Sequence, residues 1–154
     1  MLSLTKKSEY ALIAICHLAR VGERVVSARE IAELHQVPLP LLMNILKQLN
    51  QAGCVNSVRG ARGGYSLAVP AETLTLSAVL RAVEGPVRLV NCAPVGTGSR
   101  VCERAGICSI RSPIHKLHHQ FLRFLDEVTV SDVAFDEAYY ERPVGMNGEA
   151  AVSE

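Results

Sequence analysis

The stretch "SAREIAELHQVPLPLLMNILKQLNQAG", residues 27–53, constrains the fold of this chain more than any other. Ser27 and Glu30 have the spacing of a capping box, which predicts a helix start at this point and an end near His35. Pro38 and Pro40 are barred from a helix interior, yet both suit a tight connector and a first helical turn. A second helix is expected over about 39–52, with Leu42, Ile45, Leu46 and Leu49 on its buried side and Gly53 closing it. Upstream, Tyr10, Ile13, Ala14, Leu18 and Val21 follow three- and four-residue steps, so residues 5–21 read as a further helix that Gly22 ends. Two short helices joined by a tight turn predict a helix-turn-helix, whose second helix lies in the major groove of double-stranded DNA.

After Gly53 the period changes. "CVNSVRGARGGYSLAV" alternates Val55 and Ser57, then Tyr65, Leu67 and Val69, around a glycine-rich tip, which predicts a β-hairpin serving as a wing. Arg59, Arg62 and Gly63 at that tip are candidate DNA contacts, because arginine on a slim loop can enter a narrow minor groove. A solvated turn is the bland reading of the same residues. On the recognition helix the candidates are Leu41, Asn44 and Lys47. "PLPLLMNILK" offers few polar side chains to base edges, so apolar contact with thymine and DNA shape are expected to share in the readout. Charge agrees with this placement: residues 1–70 carry net +4 and residues 71–154 net −3.

Three of the five cysteines, Cys92, Cys102 and Cys108, crowd into "NCAPVGTGSRVCERAGIC". An apolar run from Ala11 to Cys16 is broken by His17 and Arg20, well short of the ~20 residues of a membrane span, and no signal-peptide cleavage site follows. A reducing cytoplasm is therefore expected, where an odd cysteine count favours metal binding or redox chemistry over disulfides. Soft thiolates select iron–sulfur clusters, zinc or cuprous copper, and a metal-free thiol switch is a further alternative. Cys16, in an apolar helix, and Cys54, at the hairpin start, read as structural. A long helix is expected from Ser112, with Pro113 in first position, to about Val128. Its stripe of Ile114, Leu117, Phe121, Phe124, Leu125 and Val128 is wide enough to bury against another helix. No nucleophile, base and orienting group stand together, so no enzyme is expected. "PVGMNGEAAVSE", residues 143–154, lacks an apolar period and is expected to be a disordered tail.

"LTKKSEYALIAICHLA", "REIAELHQVP", "SVRGARGGYSL" and "LSAVLRAVEG", followed by the cysteine loop, resemble in order the winged-helix transcription regulators of the IscR and NsrR type, over about residues 1–135. The resemblance implies an iron–sulfur cluster, [2Fe–2S] or [4Fe–4S], held by Cys92, Cys102 and Cys108, although the nine residues between the first two exceed the usual spacing. IscR-type proteins add a histidine three residues after the last cysteine, but Arg111 stands there and cannot coordinate. NsrR-type proteins use a first-helix carboxylate reaching over from the partner subunit, and the matching residue is Glu9, whose bland reading is a first-turn acid favoured by the helix dipole. His115, His118 and His119 are reserves.

The implied fold is mainly α with a small β-hairpin wing, a winged helix-turn-helix plus a long C-terminal dimerisation helix. The implied layout is a DNA-binding domain over 1–85, a cluster-binding loop over 86–111 and the dimerisation helix over 112–135. The implied function is a homodimeric repressor on a pseudo-palindromic operator, its binding controlled by the cluster. A thiol-based or zinc-binding regulator, or a cluster carrier that ignores DNA, are the alternatives.

Overall fold

The computed structural model describes residues 3–90, 103–104 and 106–135, so Cys92, Cys102 and the 143–154 tail lie outside the described residues. The first helix, α1, is Lys6–Val21; the Thr5 hydroxyl caps it by accepting from the Ser8 N–H at 3.1 Å. Helices α2 (Ala28–His35) and α3 (Leu39–Gln51) form the expected helix-turn-helix. Ser27 accepts from the Glu30 N–H at 3.1 Å, but the Glu30 carboxylate turns to Arg24, so only half of the capping box forms. Ala52 caps α3, and Gly53 takes the next position at φ 75°, where a left-handed backbone favours glycine.

Leu42, Ile45, Leu46 and Leu49 of α3 are fully buried and join Ala11, Ala14, Ile15 and Leu18 of α1 in one core. The hairpin pairs β1 (Val55–Val58) with β2 (Gly64–Leu67) in antiparallel register, Val55 opposite Leu67; Val69 falls outside it and is exposed. Val26, just ahead of α2, exchanges two backbone hydrogen bonds with Tyr65, at 2.9 and 2.8 Å, and so locks the wing onto the helix-turn-helix. A Cβ on Gly64 would stand 2.3 Å from the Val26 carbonyl oxygen, which is why the strand begins with glycine.

α4 (Leu76–Glu84) buries Val79, Leu80 and Val83. Its C-terminal end is clipped to the start of α1: Ser8 donates to Glu84 at 3.1 Å, Thr5 donates to the same carboxylate, and the Lys7 ammonium donates to the Val83 carbonyl. A cation at that end also complements the helix dipole.

The long helix, α5 (Arg111–Glu127), begins one residue earlier than the sequence suggests, which puts Pro113 at its third position rather than its first. Val128 is extended and ends it; a separate helix, α6 (Val130–Phe135), follows. The break is made by long-range backbone pairing, since Leu76 donates to the Val128 carbonyl at 2.9 Å and Val130 donates to Leu74 at 2.7 Å. Thr129 and Asp132 then cap α6 reciprocally, with hydrogen bonds of 2.8 to 3.2 Å. Arg20 of α1 donates to the Ala134 carbonyl at 2.9 Å, so α6 returns to the first helix. Of the predicted stripe on α5 only Leu125 and Val128 are buried; Ile114, Phe121 and Phe124 are half-buried and Leu117 is exposed.

Two histidines are enclosed. His17 is buried with its Nδ1 3.2 Å from Nε2 of His35, and burial, then His35, pushes its pKa below the usual 6.5. His118 is 1% exposed and shifted the same way by burial and by its neighbours His119 and His115. A histidine whose pKa falls on folding leaves stability whole above its unfolded pKa and withdraws it as pH drops below that value. The urea midpoint should therefore decline as pH is lowered from about 7.5 to about 5.5. Gly64→Ala should cost about 1–3 kcal/mol of stability, read from the same midpoint at neutral pH, because the Val26 backbone must move.

Candidate functional site

Two regions carry the chemistry. On the first, α3 turns its outward face away from the core: Pro40, Met43, Asn44 and Lys47 are exposed, Met43 at 52%. Met43, Asn44, Lys47 and Asn50 line a shallow cleft of about 340 Å³ with Ser57 and Tyr65 of the hairpin. Helix and wing thus present one continuous surface. Leu41 sits at its edge, partly buried against the core, because a helix places residue 41 between the buried row of 42, 45 and 49 and the exposed row of 40, 44 and 47. Met43, Asn50, Ser57 and Tyr65 escaped the sequence reading; Met43 and Asn50 share the helical face of Lys47 at four- and three-residue steps, which was the available signal.

At the wing tip Arg59 and Arg62 are exposed, and neither they nor Lys47 form an ion pair among the described residues. Gly63 donates to the Gly60 carbonyl at 2.9 Å to close the turn, and a Cβ there would stand 2.4 Å from the Val58 oxygen. Its role in the turn is thus to let the chain double back tightly between the two arginines.

The second region lies at the N-terminal end of α5. Cys108 is half-buried, and its carbonyl accepts from the Arg111 N–H at 3.4 Å. Cys108, Ser109, Arg111, Ser112 and His115 line a cleft of about 440 Å³. Among the described residues, His115 Nε2 and His118 Nε2 are both buried without a hydrogen-bond partner, a condition that disfavours a polar atom unless something is there to bind it. A thiol and an imidazole lining one cleft form a donor pair of the kind that zinc and iron both accept. His118 Nδ1 accepts from the Leu89 N–H at 3.4 Å, and His119 is exposed. Glu9 sits in the first turn of α1, with its carboxylate 2.6 Å from the Lys6 ammonium. Cys54 is buried and Cys16 half-buried; burial pushes both thiols up, so they fit the structural role expected of them.

A family model described as Rrf2, iron-dependent transcriptional regulator, matches residues 4–136. The chain belongs to the Rrf2 family. It is similar to CymR (YrzC), the global cysteine regulator of B. subtilis, at 30% identity, covering 87% of this chain and 97% of that one with a TM-score of 0.68. It is similar to T. potens IscR at 28% identity, covering 94% of each chain with a TM-score of 0.68. The oxidized form of S. aureus CymR matches at 26% identity over 87% of this chain and 97% of that one, with a TM-score of 0.66. As an Rrf2 member the chain is a DNA-binding transcription regulator with a mainly helical winged-helix fold. Among the described residues no helix is long and apolar enough to cross a membrane.

Replacing Arg59 or Arg62 with Ala should weaken DNA binding by roughly 1–3 kcal/mol if the side chain reads a groove, and lower the salt slope by about one if it meets phosphate. Lys47→Ala should follow the same rule on the α3 side of the cleft. Fluorescence anisotropy across a salt series measures both quantities.

Proposed function

We propose that this Rrf2 protein is a homodimeric repressor, working in a reducing cytoplasm, whose affinity for a pseudo-palindromic operator is set by an iron–sulfur cluster. Cys92, Cys102 and Cys108 supply thiolates, and a non-thiolate ligand completes the set, Glu9 of the partner subunit being the one the sequence resemblance implies. The observation that carries this reading is the cleft at the start of α5, where Cys108 shares its walls with an unengaged His115 nitrogen. The likeness to an IscR supports it. The DNA-contacting set is Arg59, Arg62 and Gly63 on the wing with Leu41, Asn44 and Lys47 on α3.

The half-covered α5 stripe supports assignment of residues 112–135 to subunit contact, since Leu117 at 50% exposure and three half-buried apolar neighbours call for a partner surface. A twofold pair would set two α3 helices about one DNA turn apart. Residues 1–85 form the reading head and 86–111 the loop. When bound, the cluster supplies a redox- and iron-sensitive link; the chain's own part is to join that link to the two helices that flank the loop.

A metal-free thiol switch is the second reading, favoured by the likeness to CymR proteins, one of them solved in an oxidized form. One experiment separates the two. Anaerobically purified protein should show a visible iron–sulfide chromophore and change its operator affinity when the cluster is removed. Cys92→Ala, Cys102→Ala and Cys108→Ala should each abolish the chromophore and leave the dimer intact in sedimentation, with DNA affinity fixed at the cluster-free value. A colourless wild-type protein whose DNA affinity responds to thiol oxidation alone would establish the second reading instead.

A further inference from the structure

We infer that the contact between His17 and His35 is a pH-sensitive lock, which holds α2 against α1 while both rings are neutral and loosens the helix-turn-helix when the pair takes up a proton. His17 lies on α1 and is 8% exposed; His35 is the last residue of α2 and is half-buried. His17 Nδ1 stands 3.2 Å from His35 Nε2, and the two rings are nearly perpendicular, at 80°. The helix it ties down is short, eight residues whose buried members are Ile31 and Ala32, so one directed bond at its end matters to its position. Directly after His35 come Gln36 in a left-handed conformation, φ 52°, buried Val37, and α3 from Leu39. A shift in the last turn of α2 is thereby passed to the start of the helix that faces DNA.

Counting protons shows why the lock is sensitive. A neutral pair carries two protons on four ring nitrogens. One fills the 3.2 Å gap, the other sits on the half-exposed His35 ring, and His17 Nε2, which is buried without a partner among the described residues, stays bare. A third proton has no good place. If the gap keeps one proton, His17 Nε2 must become a buried N–H with no acceptor; otherwise two N–H groups confront each other across the gap. This holds whichever ring is counted as the cation, because the pair titrates as a unit. His118 and His119 are also neighbours, but their ring centroids are 5.8 Å apart and His118 Nδ1 is engaged by the Leu89 N–H, so that contact involves no shared proton.

The surrounding charges act in the same sense. Burial first, then His35, holds His17 below the usual 6.5, and Arg24 in the turn before α2 and Arg20 on α1 push it the same way. Glu30 on α2 opposes them, but its carboxylate is already bonded to Arg24. A base whose pKa is lowered in the locked form leaves that form favoured above its free pKa and withdraws the preference as pH falls. The sign is distinctive for a DNA-binding protein. Added positive charge by itself tightens binding to any duplex, so weaker binding on acidification, confined to the preferred sequence, marks a change in how the reading surface is held.

The test uses the full-length chain and a duplex that it selects from a random-sequence pool at neutral pH, with an unrelated duplex of equal length beside it. Fluorescence anisotropy follows both from about pH 7.5 to about pH 5.5, the range in which histidines titrate. The selected duplex should bind about fivefold or more weakly at the acid end, the worth of one net hydrogen bond, while the unrelated duplex binds equally or more tightly. His35→Gln, whose amide can still donate to His17 Nδ1 and does not titrate, should match wild type at neutral pH and lose the acid loosening. His118→Gln should keep it. Circular dichroism should show the wild type and both variants folded throughout. A preference for the selected duplex that does not change with pH, loosening that persists in His35→Gln or vanishes in His118→Gln, or a loss of helical signal over the same range overturns the inference.

Discussion

The structure depends on one face of α1. Ala11, Ala14, Ile15 and Leu18 are fully buried, and the helix that carries them packs against α2, α3, α4, α6 and β2. Two of the four are alanines, whose small side chains let neighbouring helices come close while the larger pair fills the space between. Because so many elements share this surface, the recognition helix, the wing and the return helix α6 are packed about one common helix. The ties around it are polar and backbone-directed: Val26 to Tyr65 for the wing, Thr75 and Leu76 to the 128–129 segment, and Arg20 to Ala134 for α6.

That shared body gives the cysteine loop its leverage. The upstream end of the loop leaves α4, whose last turn is held to the first turn of α1 by Thr5, Lys7 and Ser8. The chain leading into it is pinned to α5 through Leu89 and His118, and its downstream end is the first turn of α5 itself. Under the proposed function, a group bound within the loop would act on two helices at once. One belongs to the DNA-reading body, and the other carries the apolar stripe left half uncovered.

Much of this was legible in the sequence, for reasons that differ by element. The helix-turn-helix was readable because proline and helix-capping rules act within a few residues, and the four apolar positions of α3 have no rival arrangement. The hairpin was readable from alternation and glycines, although the role of Gly64 was not, since the atom it avoids belongs to Val26, far away in sequence. The end of the long helix near Val128 was legible from its stripe, but the short helix α6 that follows was not, since Val128 and Val130 are held by pairing with Leu76 and Leu74, some fifty residues earlier. The histidines show a third kind of limit. Spacing placed all three on one helix, but only the Leu89 hydrogen bond to Nδ1 distinguishes His118 from His115, since Nε2 is buried without a partner among the described residues in both.

Magnitudes decide what kind of event at the loop can work as a switch. Carrying a two-state protein from one part in a hundred to ninety-nine requires about 5.5 kcal/mol of differential affinity. A single hydrogen bond such as the one between Leu89 and His118 contributes on the order of 1 kcal/mol, and exposed ion pairs such as Lys6 with Glu9 contribute about 0–1. Rearranging those contacts would leave both states well populated. Metal–thiolate ligation belongs to another scale, on the order of 10 kcal/mol for a site that forms only in the folded arrangement. About half of that, spent differently in two positions of α5 against the α1 body, would move the whole population. Thiols that ligate a metal would thus be a more effective place for a signal than any pair of surface charges.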